Sequence, residues 1–132
     1  MSTLLEQAEL AADLLGAAAH ENGRIVCTAE SLTGGMVSEL ITSVAGSSAW
    51  FDRGYVTYQI SGKEEMIDVP AEVIAEFGVV SEPVAEAMAR GALACSHADL
   101  SVALTGVAGP SGGTAQTPVG TCLLYTSPSP RD

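Results

Sequence analysis

The sequence is short of positive charge. Its 132 residues hold five Lys and Arg against 16 Asp and Glu, for a net charge of −11. Lys63 is the only lysine, and the arginines are Arg24, Arg53, Arg90 and Arg131. A nucleic-acid binder needs a basic face to neutralise phosphates, so nucleic acid is excluded as the main partner. A small anion is still admissible, because main-chain N–H groups hold a phosphate without lysines.

Other absences narrow the reading further. No apolar run approaches the length of a membrane span, so no membrane role is expected. Residues 1–6 have neither the basic start nor the apolar centre of a signal peptide, and a cytoplasmic location is the default expectation. The three cysteines, Cys27, Cys95 and Cys122, lack C-x-x-C spacing. They read as reduced, mostly buried small hydrophobes. His20 and His97 each stand alone near the end of a helical stretch, so there is no metal-ligand constellation and no Ser-His-Asp arrangement. The motifs G-x-S-x-G, G-x-G-x-x-G and G-x-x-x-x-G-K-[ST] are absent.

What is present describes a packed globule. Hydrophobic residues make up 47% and charged residues 16%, at a length that suits one core. Leu4, Leu5, Ala8, Ala11, Leu14, Leu15 and Ala18 recur at helical spacing. They predict an amphipathic first helix capped by Thr3 or Ser2 and ended by Asn22-Gly23. A β-branched strand follows over 24–29, then a helix over 36–44. Residues 50–59 predict a second strand, with Gly54 marking a bulge or a close backbone approach.

Ser61 and Glu64 have capping-box spacing, which places Lys63 in the first turn of a short helix over 62–67. Pro70 opens a helix that ends at Gly78, and Ser81 caps another with Val84, Met88, Ala92 and Leu93 inward. Strands are expected over 99–105 and 119–125, with a glycine-rich loop over 106–113 between them. The order α-β-α-β-α-α-α-β-β favours a three-layer α/β domain, and its two consecutive strands imply an antiparallel pair. Ser/Pro alternation over 127–130 is not expected to continue a strand. Residues 122–132 therefore read as a frayed or appended tail on a domain over 1–121.

The stretch of chemical interest is Thr28-Ala29-Glu30-Ser31-Leu32-Thr33-Gly34-Gly35. A strand ends there, and two glycines open a helix. Ser31 beside unpaired helix N–H groups suits a nucleophile with an oxyanion site, a phosphate pocket, or simply a capped turn. A serine nucleophile needs a base. Lys63 is a candidate, because desolvation and a helix N-terminus both lower a lysine pKa; a solvated lysine beside Glu64 and Glu65 is the plainer alternative. Tyr58 is placed to sit beside Lys63 and relay a proton, or to be an ordinary strand aromatic. Glu30 reads as orienting a neighbour or as a solvated carboxylate. The loop after Thr105 should open at a strand's carboxyl end, where α/β sheets bind ligands.

Taken together, six blocks resemble one family. They are Thr28–Gly35, Ala45-Gly46-Ser47-Ser48-Ala49-Trp50-Phe51, Gly54-Tyr55-Val56-Thr57-Tyr58 with Lys63, Gly78-Val79-Val80-Ser81-Glu82-Pro83-Val84, Thr105 through Gly113, and Pro118-Val119-Gly120-Thr121. The chain resembles the CinA C-terminal domain family from its first helix to Thr121. The resemblance implies an α/β/α sandwich with a mixed sheet. It implies deamidation of nicotinamide mononucleotide to the nicotinate form and ammonia, with no cofactor or metal, and a homodimer. It implies Ser31 as nucleophile, Lys63 as base and Tyr58 as an assisting residue. N–H groups around Thr33, Gly34 and Gly35 would hold the oxyanion. Thr105, Gly106, Gly109, Gly112 and Gly113 would form the substrate wall. Two departures stand out. Ile60-Ser61-Gly62 replaces the family's usual Asn-Glu-Ala, and the family's later strands, final helix and Gly-Asp-Arg segment have no counterpart after Thr121. The alternative readings are a non-catalytic nucleotide-binding domain and an inactive fragment.

Overall fold

A computed structural model of the chain describes residues 2–128. The elements in order are α1 (Leu4–Glu21), β1 (Val26–Glu30), α2 (Met36–Thr42), a 3-10 turn (Ser47–Ala49), β2 (Phe51–Val56), α3 (Ile60–Ile67), α4 (Ala71–Phe77), α5 (Glu82–Ala94), β3 (Leu100–Gly106) and β4 (Cys122–Pro128). The sheet order is β2-β1-β3-β4. β1 pairs parallel with both β2 and β3, and β4 runs antiparallel to β3. The expected α/β architecture with a mixed sheet is present. Among the described residues no helix is long and apolar enough to cross a membrane.

Alternation along β1 divides the core. Cys27 and Ala29 face a cluster with Ile67, Ile74, Val84, Met88, Ala89 and Ala92 from α3, α4 and α5. Val26 faces the other side, with Ala19, Ile41 and Trp50 from the α1 and α2 layer. Helices thus cover both faces of the sheet. The same alternation sends the side chains of Thr28 and Glu30 toward α2, and Ser31 toward α3.

Several sequence expectations shift. β1 starts at Val26 and not at residue 24, because Arg24 N–H still bonds the Ala19 carbonyl of α1 and the Asp99 carboxylate takes Ile25 N–H. Thr3 is the cap of α1, and it forms a capping box with Glu6. The stripe of α1, however, faces the core only in part: Leu15 packs against it, Leu4, Leu5 and Leu14 are exposed, and the buried positions are Ala12, Gly16 and Ala19. Small residues win there because a Cβ on Gly16 would press on the Trp50 ring. Ser61 does not cap α3. Gln59 holds the cap position, so Ser61 lies inside the first turn, and Lys63 N–H bonds the Gln59 carbonyl. Ser81 does cap α5. Of the cysteines only Cys27 is buried.

Gly54 marks a close approach. A side chain there would overlap the hydroxyls of Thr28 and Ser38, while the register shift of β2 against β1 lies earlier, around Asp52. At the C-terminal end, the expected strand keeps its length and shifts toward the C-terminus. Cys122–Pro128 pairs with β3 along its whole length, from Gly106↔Cys122 to Leu100↔Pro128. The Ser127-Pro128 step is tolerated because the proline stands last in the strand and on its outer flank among the described strands. Of the segment read as a tail, residues 129–132 lie outside the described residues.

Candidate active site

The carboxyl ends of the three parallel strands converge. Ser31 follows β1, Thr57 and Tyr58 follow β2, and the glycine-rich loop follows β3. β1 lies between the other two, so its end is the crevice of the sheet. Ser31 is tied to both neighbours: its N–H bonds the Leu104 carbonyl, and Thr57 N–H bonds the Glu30 carbonyl at 2.8 Å.

Lys63 is fully buried, so the solvated alternative does not hold. Its Nζ lies 3.0 Å from Ser31 Oγ, 2.7 Å from the Thr57 carbonyl and 3.3 Å from the Tyr58 carbonyl. Burial lowers its pKa, because an ammonium loses hydration and gains no carboxylate among its described partners. The three contacts serve either protonation state, since an ammonium donates to all three oxygens. In a neutral amine, two N–H groups would meet the two carbonyls and the lone pair would be left for the Ser31 hydroxyl proton. Gly91 of α5 lets α3, which carries Lys63, approach closely: a Cβ there would overlap the Ile67 carbonyl.

Glu30 is also fully buried. Its Oε1 accepts from Thr33 Oγ1 at 2.7 Å, Val37 N–H at 3.0 Å and Gly35 N–H at 3.2 Å. Its Oε2 accepts from Ser38 Oγ at 2.6 Å and Ser38 N–H at 2.8 Å. Burial alone would raise its pKa, but the bonds from Ser38, Thr33 and Val37 outweigh it and hold the carboxyl below the usual range. The solvated reading of Glu30 is therefore replaced by the orienting one.

This bonding corrects the expected oxyanion donors. Gly35 N–H is taken by Glu30, and Gly34 N–H by the Ser31 carbonyl at 3.1 Å. The glycines serve the turn itself, with φ of 62° and 107°. The N–H groups of Leu32 and Thr33 have no acceptor among the described residues.

The other expected site residues separate. Tyr58 meets Lys63 through its carbonyl, the residue is 67% exposed, and its hydroxyl makes no hydrogen bond to Ser31 or Lys63. Thr105 is buried, and its hydroxyl donates to the Val79 carbonyl. Gly106 does lie beside the nucleophile turn, against the Leu32 side chain and the Thr121 carbonyl. Gly109 and Gly113 pack on Val119 with positive φ and shape the loop, and Gly112 faces nearly open space. Thr57 was not legible as a site residue, because its contribution is a carbonyl that every residue has.

The model of the CinA C-terminal domain matches residues 8–128. The chain belongs to the CinA C-terminal domain family. The match extends to the end of β4, beyond Thr121. A relative from Escherichia coli (strain K12), named nicotinamide-nucleotide amidohydrolase PncC, is 52% identical over 107 residues, covering 81% of this chain and 65% of its own length. The chain thus spans just under two thirds of that relative. A CinA-like protein of Anaeromyxobacter dehalogenans is 52% identical over 112 residues, 85% of this chain and 28% of its own. Among solved structures, the competence/damage inducible protein CihA from Agrobacterium tumefaciens superposes with a TM-score of 0.91 at 44% identity, covering 97% of this chain and 78% of that one. Members of the CinA family thus share this α/β fold.

Proposed function

We propose that this domain is an amidohydrolase that deamidates nicotinamide mononucleotide through Ser31 and Lys63. The observation that carries the reading is the buried Lys63 amine 3.0 Å from the Ser31 hydroxyl. The name of the Escherichia coli relative supports the substrate.

In this reading Ser31 Oγ attacks the carboxamide carbon while its proton moves to Lys63 Nζ. The tetrahedral oxyanion is met by the N–H groups of Leu32 and Thr33, the donors that the turn leaves unclaimed. Lys63 returns the proton to the amide nitrogen, the C–N bond breaks, and ammonia leaves. Water then attacks the acyl-serine, giving its proton to Lys63. The ester C–O bond breaks, and Ser31 recovers the proton. The Thr57 and Tyr58 carbonyls hold Lys63 in either protonation state. The loop after Gly106 forms the wall toward the nucleotide, and its main chain supplies phosphate donors.

Ammonia release from nicotinamide mononucleotide tests the reading. It should occur with the wild-type protein and be lost in Ser31→Ala and Lys63→Ala. Nucleotide binding without ammonia release would return the chain to the non-catalytic reading.

A further inference from the structure

We infer that Glu30 is the positioning residue of the nucleophile turn, acting through its carboxylate on the N–H donors that face the reaction. The inference rests on the amidase reading and deepens it.

The carboxylate gathers five donors from residues 33 to 38, and among the described residues it has no cationic partner. A buried charge without a counterion is costly, so the bonds must be many and well formed. They span the turn from one end to the other. Thr33 is fixed by its hydroxyl, Gly35 by its N–H, and the first turn of α2 by Val37 and Ser38. Between this anchor and the Ser31 N–H bond to Leu104 lie Leu32 and Thr33, whose N–H groups have no acceptor among the described residues. The turn is therefore clamped on both sides of the two donors.

The clamp has an outer shell. Thr28 Oγ1 lies 2.7 Å from Ser38 Oγ, and Gly54 leaves the room in which those hydroxyls meet. The main chain of Glu30 also serves the base. Its carbonyl takes Thr57 N–H, and the Thr57 carbonyl takes Lys63 Nζ. One residue thus references the nucleophile, its base and the oxyanion donors to the same strand end. The consequence is specific. Loss of the carboxylate should impair the transition state, where the donors act, and leave ground-state binding at the Gly106 loop intact.

The test is steady-state ammonia release by Glu30→Gln, read as kcat and KM separately. The amide keeps the shape but loses the charge, and its NH2 group faces donors. The expected result is a kcat lower by about 100-fold, the scale of an ångström-sized misplacement, with KM little changed. Faster amide hydrogen exchange at Gly35 and Val37 should accompany it, with β1 and β3 still protected. Ser38→Ala and Thr33→Val each remove a single hydroxyl donor and guard against a Glu30→Gln that does not fold. Each should lower kcat by a smaller factor. An active wild type with unchanged kcat in these variants overturns the inference. A KM rise with kcat unchanged overturns it too. A wild type that releases no ammonia overturns the amidase reading, and this inference with it.

Discussion

Lys63 Nζ and Ser31 Oγ are 3.0 Å apart inside the fold, although 32 residues separate them in the chain. The described partners of the amine are that hydroxyl and two carbonyls. No carboxylate among them favours the ammonium, and burial disfavours it. In the proposed reaction, a lysine so placed serves as base at lower pH than a surface lysine would.

The pH profile follows from this. Activity should rise with pH as Lys63 loses its proton, with a midpoint below the ordinary lysine value of about 10.4. Lys63→Arg, which stays charged, should lose about 100- to 10,000-fold in kcat, the range of a general base. Initial rates across a pH series test both statements.

Stability carries the same signature. Between the lowered folded pKa of Lys63 and its ordinary value, the unfolded chain holds a proton that the folded one does not. Stability must rise with pH through that window. Urea unfolding at stepped alkaline pH should show the rise, and Lys63→Met should flatten it.

Tyr58→Phe should keep near wild-type kcat. Only the main chain of Tyr58 touches Lys63, and its side chain is largely exposed. A large loss of kcat with KM unchanged would restore the hydroxyl to the mechanism.

Two glycines on opposite sides of Lys63 should behave in opposite ways. Gly91→Ala drives a methyl into the Ile67 carbonyl, so α3 must move away from α5. The expected cost is about 1–3 kcal/mol, with lowered kcat because the base moves with its helix. Gly62→Ala meets Thr57 only at ordinary contact, 3.4 Å from its Cα. It should gain up to about 1 kcal/mol from helix propensity and keep activity. Thermal melts paired with ammonia assays check the contrast.

How much of this was legible varied with the kind of signal. The element order followed from local periodicity and caps, and Ser31, Lys63 and the loop after Thr105 were legible from turn chemistry and family blocks. The α1 stripe misled in part, because periodicity marks an apolar face without saying what covers it. Tyr58 misled because its nearness to Lys63 in sequence said nothing about whether side chain or carbonyl would turn toward the amine. The glycines at 34 and 35 were placed correctly in the turn but not in their role, since the Ser31 carbonyl takes the Gly34 N–H and the buried Glu30 takes the Gly35 N–H.

The sequence by itself determined the order of helices and strands, the family, and the residue types available for chemistry, because these depend on neighbours along the chain. The tertiary structure alone decided that Lys63 is buried and aimed at Ser31. It alone made Glu30 the clamp of the Ser31 turn, and left the N–H groups of Leu32 and Thr33 as its open donors. Those outcomes depend on desolvation and on which polar groups find partners across the sheet, and neither quantity exists until β1, β2 and β3 lie side by side.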